Sequence, residues 1–129
     1  MTGTVTPSMS GRRVLVTGGA GFIGSAAVRH LIADGAEVLN LDALTYAGNL
    51  STVAEVADRP GYHFLKADIR DGASLTAVFG EFRPGLVMHF AAESHVDRSI
   101  DGPDIFLQTN VIGTFRMLSA ARRYWAELP

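Results

Sequence analysis

Three glycines, Gly18, Gly21 and Gly24, recur at G-x-x-G-x-x-G spacing within VLVTGGAGFIGS, residues 14–25. That spacing suits a backbone that must come close to an anion. Gly18 permits a tight turn after an apolar run. Gly21 removes the Cβ that would hold a pyrophosphate off the main chain. Gly24 lets the next helix pack closely. The N–H groups of Phe22 and Ile23 then open a helix whose N-terminus favours negative charge. Any glycine-rich strand–helix turn shares the bare spacing. The strand before it, the helix after it and an acid downstream together point to a dinucleotide.

That acid is Asp42, 18 positions past Gly24 at the end of a second apolar run. A carboxylate there accepts hydrogen bonds from the adenosine ribose and repels a 2′-phosphate, which favours NAD over NADP. Asp68, in KADIRD, either sits beside the adenine or caps a turn. On the opposite wall, Phe90, Ala91 and Ala92 leave room for ribose and pyrophosphate. Glu93, Ser94, His95, Asp97 and Arg98 follow, and they either hold a polar substrate or form a solvated loop. A Ser-His-Asp hydrolase triad does not fit, because these residues are too close in sequence and no nucleophile elbow is present. His89 and His95 lack partners at metal-ligand spacing, so no metal site is expected. His30 and His63 read as ordinary surface or core histidines. Thr109-Asn110, in TNVIGT, marks either a helix facing the cofactor or a kink.

The elements that must position these groups alternate in hydrophobic period. RVLVT (13–17), EVLNL (37–41), YHFLK (62–66) and LVMHF (86–90) read as strands. Residues 22–33, 50–57, 71–82 and 103–125 read as helices, the third entered through an Asp cap and the last through proline at its first turn. Strand–helix alternation of this kind predicts an α/β fold: a Rossmann-like, doubly wound parallel sheet in the order 3-2-1-4. The crevice then lies where the order reverses, between strands 1 and 4. Such a sheet normally has about six strands, so this one is expected to be truncated after four. Its fourth strand becomes an apolar edge open to association.

The 129 residues suit one domain. Residues 1–11 are expected to be a flexible leader and 12–129 an incomplete dinucleotide-binding domain. A formal charge of −2 provides no field to recruit nucleic acid or an anionic membrane. There is no cysteine for a disulfide framework or thiolate site. The longest apolar run is too short for a membrane span, and the first ten residues show no secretory signal. A cytoplasmic location is expected.

VTGGAGFIGS, LDALTYAGNL, ADIRD and HFAAESHVDRSIDGP followed by TNVIGT closely resemble the dTDP-glucose 4,6-dehydratases, RmlB-type members of the extended short-chain dehydrogenase/reductases. The resemblance runs from about Arg13 to Arg123. The glycine motif alone indicates only the superfamily, which includes sugar-nucleotide epimerases; LDALTYAGNL with AAESHVDRSI is more specific to the dehydratases. The resemblance implies a tightly bound NAD. Phe22 and Ile23 would meet the pyrophosphate. Asp42, Ala43, Leu44, Thr45 and Gly48 would meet the adenosine side, and Asp68 and Ile69 the adenine. Phe90, Ala91, Ala92, Ser94 and Thr109 would lie toward the nicotinamide, with Ser94 also touching the sugar nucleotide.

In such enzymes NAD takes a hydride from C4 of glucose, water leaves across C5 and C6, and the hydride returns to C6. The family's Tyr-x-x-x-Lys pair, its Thr-Asp-Glu segment and its C-terminal sugar-nucleotide domain have no counterpart here. Only Tyr62 and Lys66 have the Tyr–Lys spacing. On a strand they would stand about 13 Å apart, too far for a proton relay. No catalytic acid or base is therefore expected, and the chain reads as the NAD-binding part of a dTDP-glucose 4,6-dehydratase. The rivals are an NAD-binding module without catalysis and an epimerase fragment. The resemblance also implies a homodimer through the helix after strand 4. Leu107, Val111, Phe115, Leu118 and Ala121 form a stripe there that either meets a partner or packs on its own sheet.

Overall fold

The computed structural model describes residues 8–44, 50–92 and 103–129. Four parallel strands, β1 (Arg13–Thr17), β2 (Glu37–Asp42), β3 (Tyr62–Lys66) and β4 (Leu86–His89), form one sheet in the order β3-β2-β1-β4. This is the expected Rossmann-like topology. β1 lies between two neighbours and under helices on both faces, so Val14, Leu15, Val16 and Thr17 are all fully buried. That is why its sequence is a near-continuous apolar run. In register, Thr17 pairs with Leu41 on one side and His89 on the other. Among the described residues β4 pairs only with β1.

Alternation along each strand divides the core in two. On one face Val14, Val16 and Val38 pack against Val28, Leu31 and Ile32 of α1 (Phe22–Ala33), and against Val53 and Val56. On the other, Leu15 and Leu41 pack against Leu75, Val78 and Phe79 of α2 (Gly72–Phe82), together with Ile69, Met117 and Ala120. Truncating a fully buried leucine such as Leu15 to alanine costs about 2–5 kcal/mol in such a setting.

Local signals set the helix ends. Asp71 caps α2, its side chain accepting from the N–H groups of Ala73 and Ser74. Those bonds, together with the Ser74 hydroxyl, hold its carboxyl below the usual range. α1 stops at Asp34, and Gly35 follows at φ +89°.

Two helices differ from expectation. The segment Leu50–Val56 is a 3₁₀ helix broken at Val53 (φ −116°, ψ 15°). Val53 is buried in the core and the Thr52 hydroxyl is drawn to the Ala20 carbonyl, so tertiary contacts override regular helix. The helix after β4 is not uniform either. It opens as α3 (Pro103–Phe106), widens into a π segment (Leu107–Gly113) and resumes as α4 (Thr114–Ala126). Thr109-Asn110 falls inside the π segment. Residues 8–11 dock on the body: Met9 N–H donates to Asp34, Gly11 N–H donates to the Gly35 carbonyl, and the Met9 side chain packs against the α1 face.

Candidate functional site

The carboxyl ends of β1 and β4 bring two loops together, as the reversal of strand order requires. Gly18 turns out of β1 at φ +71°. A Cβ there would stand 2.7 Å from Ala91 N and 2.8 Å from the Phe90 carbonyl carbon. Both the turn and the close approach therefore require glycine. Gly24 has a different constraint: a Cβ there would run into the Gly18 carbonyl oxygen and lie 2.8 Å from its carbon. It lets the first turn of α1 sit on the glycine loop itself. At Gly21, by contrast, a Cβ would meet only the Gly18 oxygen at 3.4 Å, an ordinary contact, and φ is −75°. The protein leaves that side open.

Gly21 is also the N-cap of α1, and no side chain caps this helix. The first-turn N–H groups of a helix have no partner within it. Phe22 is 92% exposed and Ile23 66% exposed, so their side chains leave the helix end uncovered. An uncapped N-terminus beside a glycine without steric need for glycine is a cradle for an anionic group.

Asp42 is buried at the end of β2, and both of its oxygens are engaged. Oδ2 accepts from Ala20 N–H at 2.9 Å, and Oδ1 accepts from Leu44 N–H at 2.7 Å. The acid expected to recognise ribose is thus also the latch of the glycine loop. Each oxygen keeps a second lone pair for a ligand hydroxyl. The latch holds Leu44 at φ +55°, a left-handed conformation that costs about 1 kcal/mol or more for a non-glycine residue. Ala20 is held from its other end by the Thr52 hydroxyl, 2.9 Å from its carbonyl. Arg29 of α1 in turn donates to the Thr52 carbonyl at 2.6 Å and pairs with Glu55.

Asp68 forks onto Arg70, with contacts of 2.6–3.0 Å. It also accepts from Arg70 N–H at 2.9 Å. Arg70 holds its carboxyl below the usual range. This is the geometry of a turn cap, and the carboxylate, a third exposed, keeps further lone pairs for a ligand donor. Ile69 is spent on the core, and its Cδ1 lies where a Cβ on Gly113 would be, at 2.7 Å. Only its main chain is left for a ligand. Phe90 packs on the α1 face and Ala91 on the α2 face, while Ala92 is exposed. Thr45, Gly48, Ser94 and the polar run 93–98 lie outside the described residues.

A hydrogen-bonded chain crosses beneath the two loops. The Thr17 hydroxyl accepts from Phe90 N–H at 3.1 Å and Ala91 N–H at 3.3 Å. The same hydroxyl is hydrogen-bonded to His89 Nδ1, 2.6 Å away. His89 Nε2 lies 3.1 Å from Thr114 Oγ1, so a neutral imidazole, one nitrogen donating and the other accepting, bridges the two hydroxyls. Burial pushes the His89 pKa down, consistent with this neutral form. Asn40, fully buried on β2, donates to the Tyr62 hydroxyl at 3.1 Å, while its Oδ1 faces Gly19 without a hydrogen-bond donor. A Cβ on Gly19 would lie 2.6 Å from Asn40 Cγ. Burial raises the Tyr62 pKa.

Sequence spacing does not reveal Thr17, Gly19, Asn40, Thr52, His89 or Thr114 as members of this assembly. The one available signal was polar residues inside otherwise apolar strands. A separate cavity of about 140 Å³, lined by Phe79, Arg83, Arg123 and Tyr124, lies between α2 and α4 and contains none of the candidate residues. Among the described residues, no three His, Asp or Glu side chains gather as a metal site. No helix there is long and apolar enough to cross a membrane.

Residues 15–128 match the family model described as GDP-mannose 4,6 dehydratase. The chain belongs to this family. Within it, the chain is similar to the dTDP-glucose 4,6-dehydratase of Neisseria meningitidis serogroup B, 59% identical over 119 residues, 92% of this chain and 34% of that protein. Among solved structures it is similar to DesIV, a dTDP-glucose 4,6-dehydratase from Streptomyces venezuelae crystallised with NAD. That match has TM-score 0.80 and 47% identity, over 88% of this chain and 36% of the other. It is also similar to a Thermus thermophilus UDP-glucose 4-epimerase in complex with NAD. There the TM-score is 0.78 and identity 42%, over 89% of this chain and 35% of the other. The chain spans about a third of the length of the curated relatives it matches. Leu107, Val111, Phe115 and Leu118 are exposed, whereas Met117 and Ala120 face the core, with Ala121 packed partly against it.

Proposed function

We propose that this chain is the NAD-binding segment of a dTDP-glucose 4,6-dehydratase. The observation that carries the reading is the open, uncapped N-terminus of α1 at Gly21, set against the loop after β4 at the switch in strand order. The glycine loop and the N–H groups of Phe22 and Ile23 hold the pyrophosphate. Asp42 receives the adenosine ribose, with Ala43, Leu44, Thr45 and Gly48 around it. Asp68 and Ile69 border the adenine. Residues 90–92, Ser94 and Thr109 lie toward the nicotinamide, and Ser94 meets the sugar nucleotide.

The bound cofactor supplies a hydride acceptor for C4 of dTDP-glucose, in a reaction that continues by C5–C6 dehydration and C6 reduction. The residues of this chain bind and orient it. No proton-transfer role is assigned within the 129 residues: Tyr62 and Lys66 both lie on β3, about 13 Å apart by strand geometry. The exposed stripe of Leu107, Val111, Phe115 and Leu118 supports a homodimer.

Calorimetric titration with NAD, and with NADP as control, tests the reading. Binding of NAD alone is expected. No binding of either, by a folded chain, overturns it. Among rival activities, the curated relatives favour dehydration over epimerisation.

A further inference from the structure

Three segments that carry proposed cofactor contacts leave the body of the protein at three side chains. The glycine loop starts after Thr17, the loop 90–92 starts after His89, and the π segment with Thr109 and Asn110 ends at Thr114. Those three side chains form one hydrogen-bonded chain, Thr17 Oγ1 to His89 Nδ1 at 2.6 Å and His89 Nε2 to Thr114 Oγ1 at 3.1 Å.

We propose that His89 is a positioning residue that fixes the register of the glycine loop, the loop after β4 and the π segment relative to one another. This rests on the reading of the crevice as an NAD site. The imidazole is well suited to the task. It is rigid, its two nitrogens diverge, and in its neutral form it accepts at one end and donates at the other. The Thr17 hydroxyl extends the link, because it also receives the N–H groups of Phe90 and Ala91. On the helix side, the π segment departs from the regular i→i+4 pattern, as such segments often do at functional sites. His89 meets Thr114 at its end, and Gly113 lies directly on the Ile69 side chain. A shift of the π segment along its axis would move Thr109 and break the Thr114 contact together.

The test uses Thr114→Val, which keeps shape and removes the hydroxyl, with Thr114→Ser as the conservative rescue. His89→Asn is a second variant, able to accept from Thr17 but too short to reach Thr114. NAD affinity is measured by calorimetry, unfolding temperature by scanning calorimetry, and the imidazole state by ¹⁵N NMR. Thr114→Val and His89→Asn are expected to weaken NAD binding about tenfold, and Thr114→Ser to stay within about twofold of the parent. The parent imidazole is expected in the neutral form. A lowered unfolding temperature with unchanged NAD affinity would reduce the chain to a structural tie and overturn the proposal. If the parent binds no NAD, the cofactor reading fails and takes the positioning role with it. The imidazole signal then shows separately whether the hydrogen-bonded chain exists.

Discussion

Gly21 and Gly24 make opposite demands on the protein, and exchanging each for a larger residue separates binding from folding. At Gly24 an added Cβ sits 2.8 Å from the Gly18 carbonyl carbon and 3.0 Å from Gly19 Cα, both main-chain atoms. Carbon atoms in contact prefer about 3.5–4.0 Å, and the Gly18 oxygen stands closer still, so the loop must give by roughly 1 Å or more. Overpacking of this kind costs about 1–3 kcal/mol, and main-chain neighbours place it at the upper end. For a chain of this size, about 3 kcal/mol lowers the melting temperature by about 10 °C.

At Gly21 the backbone is extended (φ −75°, ψ 178°) and the added Cβ meets one oxygen at 3.4 Å. Gly21→Val loses only the N-cap preference of glycine, about 1 kcal/mol, or about 4 °C. Its side chain nevertheless stands where the pyrophosphate must approach. Thermal unfolding and NAD titration of both variants give the comparison. Gly21→Val is expected to melt within a few degrees of the parent and to lose NAD binding, whereas Gly24→Ala melts far lower. The reasoning fails if Gly21→Val binds NAD like the parent, or if it melts as low as Gly24→Ala.

Asp42→Asn replaces one acceptor oxygen with an NH₂ facing a backbone N–H, so it should lose about 1–3 kcal/mol of stability along with NAD affinity. An affinity loss with no change in unfolding would show that the loop latch is unimportant. His89 has its pKa lowered in the folded state, so between that value and about 6.5 the unfolded chain binds more protons. Its contribution to stability is complete above about pH 6.5 and declines as the pH falls through that window, a slope that His89→Gln should remove in urea titrations from about pH 7 to pH 5. An identical slope in the variant would contradict the assignment. Phe115→Arg together with Leu118→Glu should abolish concentration-dependent association in sedimentation velocity. Self-association of that double variant as strong as the parent's would place the interface elsewhere.

Topology was readable because it follows from periodicity and chain connectivity. Strands of near-continuous apolar residues must be buried on both faces, and right-handed crossovers leave few orders. β3-β2-β1-β4 followed directly. Gly18 and Gly24 were readable as steric necessities, although the surface Gly24 meets is the glycine loop itself. What spacing could not supply was the second use of each polar group. Asp42 has the position of a ribose acceptor, but its Ala20 and Leu44 partners arise only when the loop folds back on β2. The role of His89 is not legible in spacing, because its partners, 72 and 25 residues away, are brought near by sheet register and by helix packing. The π segment was visible only as two polar residues in a helix. The sheet-or-partner ambiguity of the stripe needed the helix rotation, which places Met117 and Ala120 inward and Leu118, 65% exposed, outward.

The engagement of Asp42 by two backbone amides bears on how cofactor preference could change in this lineage. In many dinucleotide folds the acid after the second strand is a peripheral discriminator, exchangeable for a residue that welcomes a phosphate on the ribose. Here the same carboxylate keeps the Ala20 and Leu44 amides satisfied in a buried place. Removing it to admit NADP would strand two donors and release the strained Leu44 turn at once. A switch of preference would therefore have to be preceded by a new acceptor for those amides. Any preference set by this carboxylate is thereby tied to the folding of the loop around it.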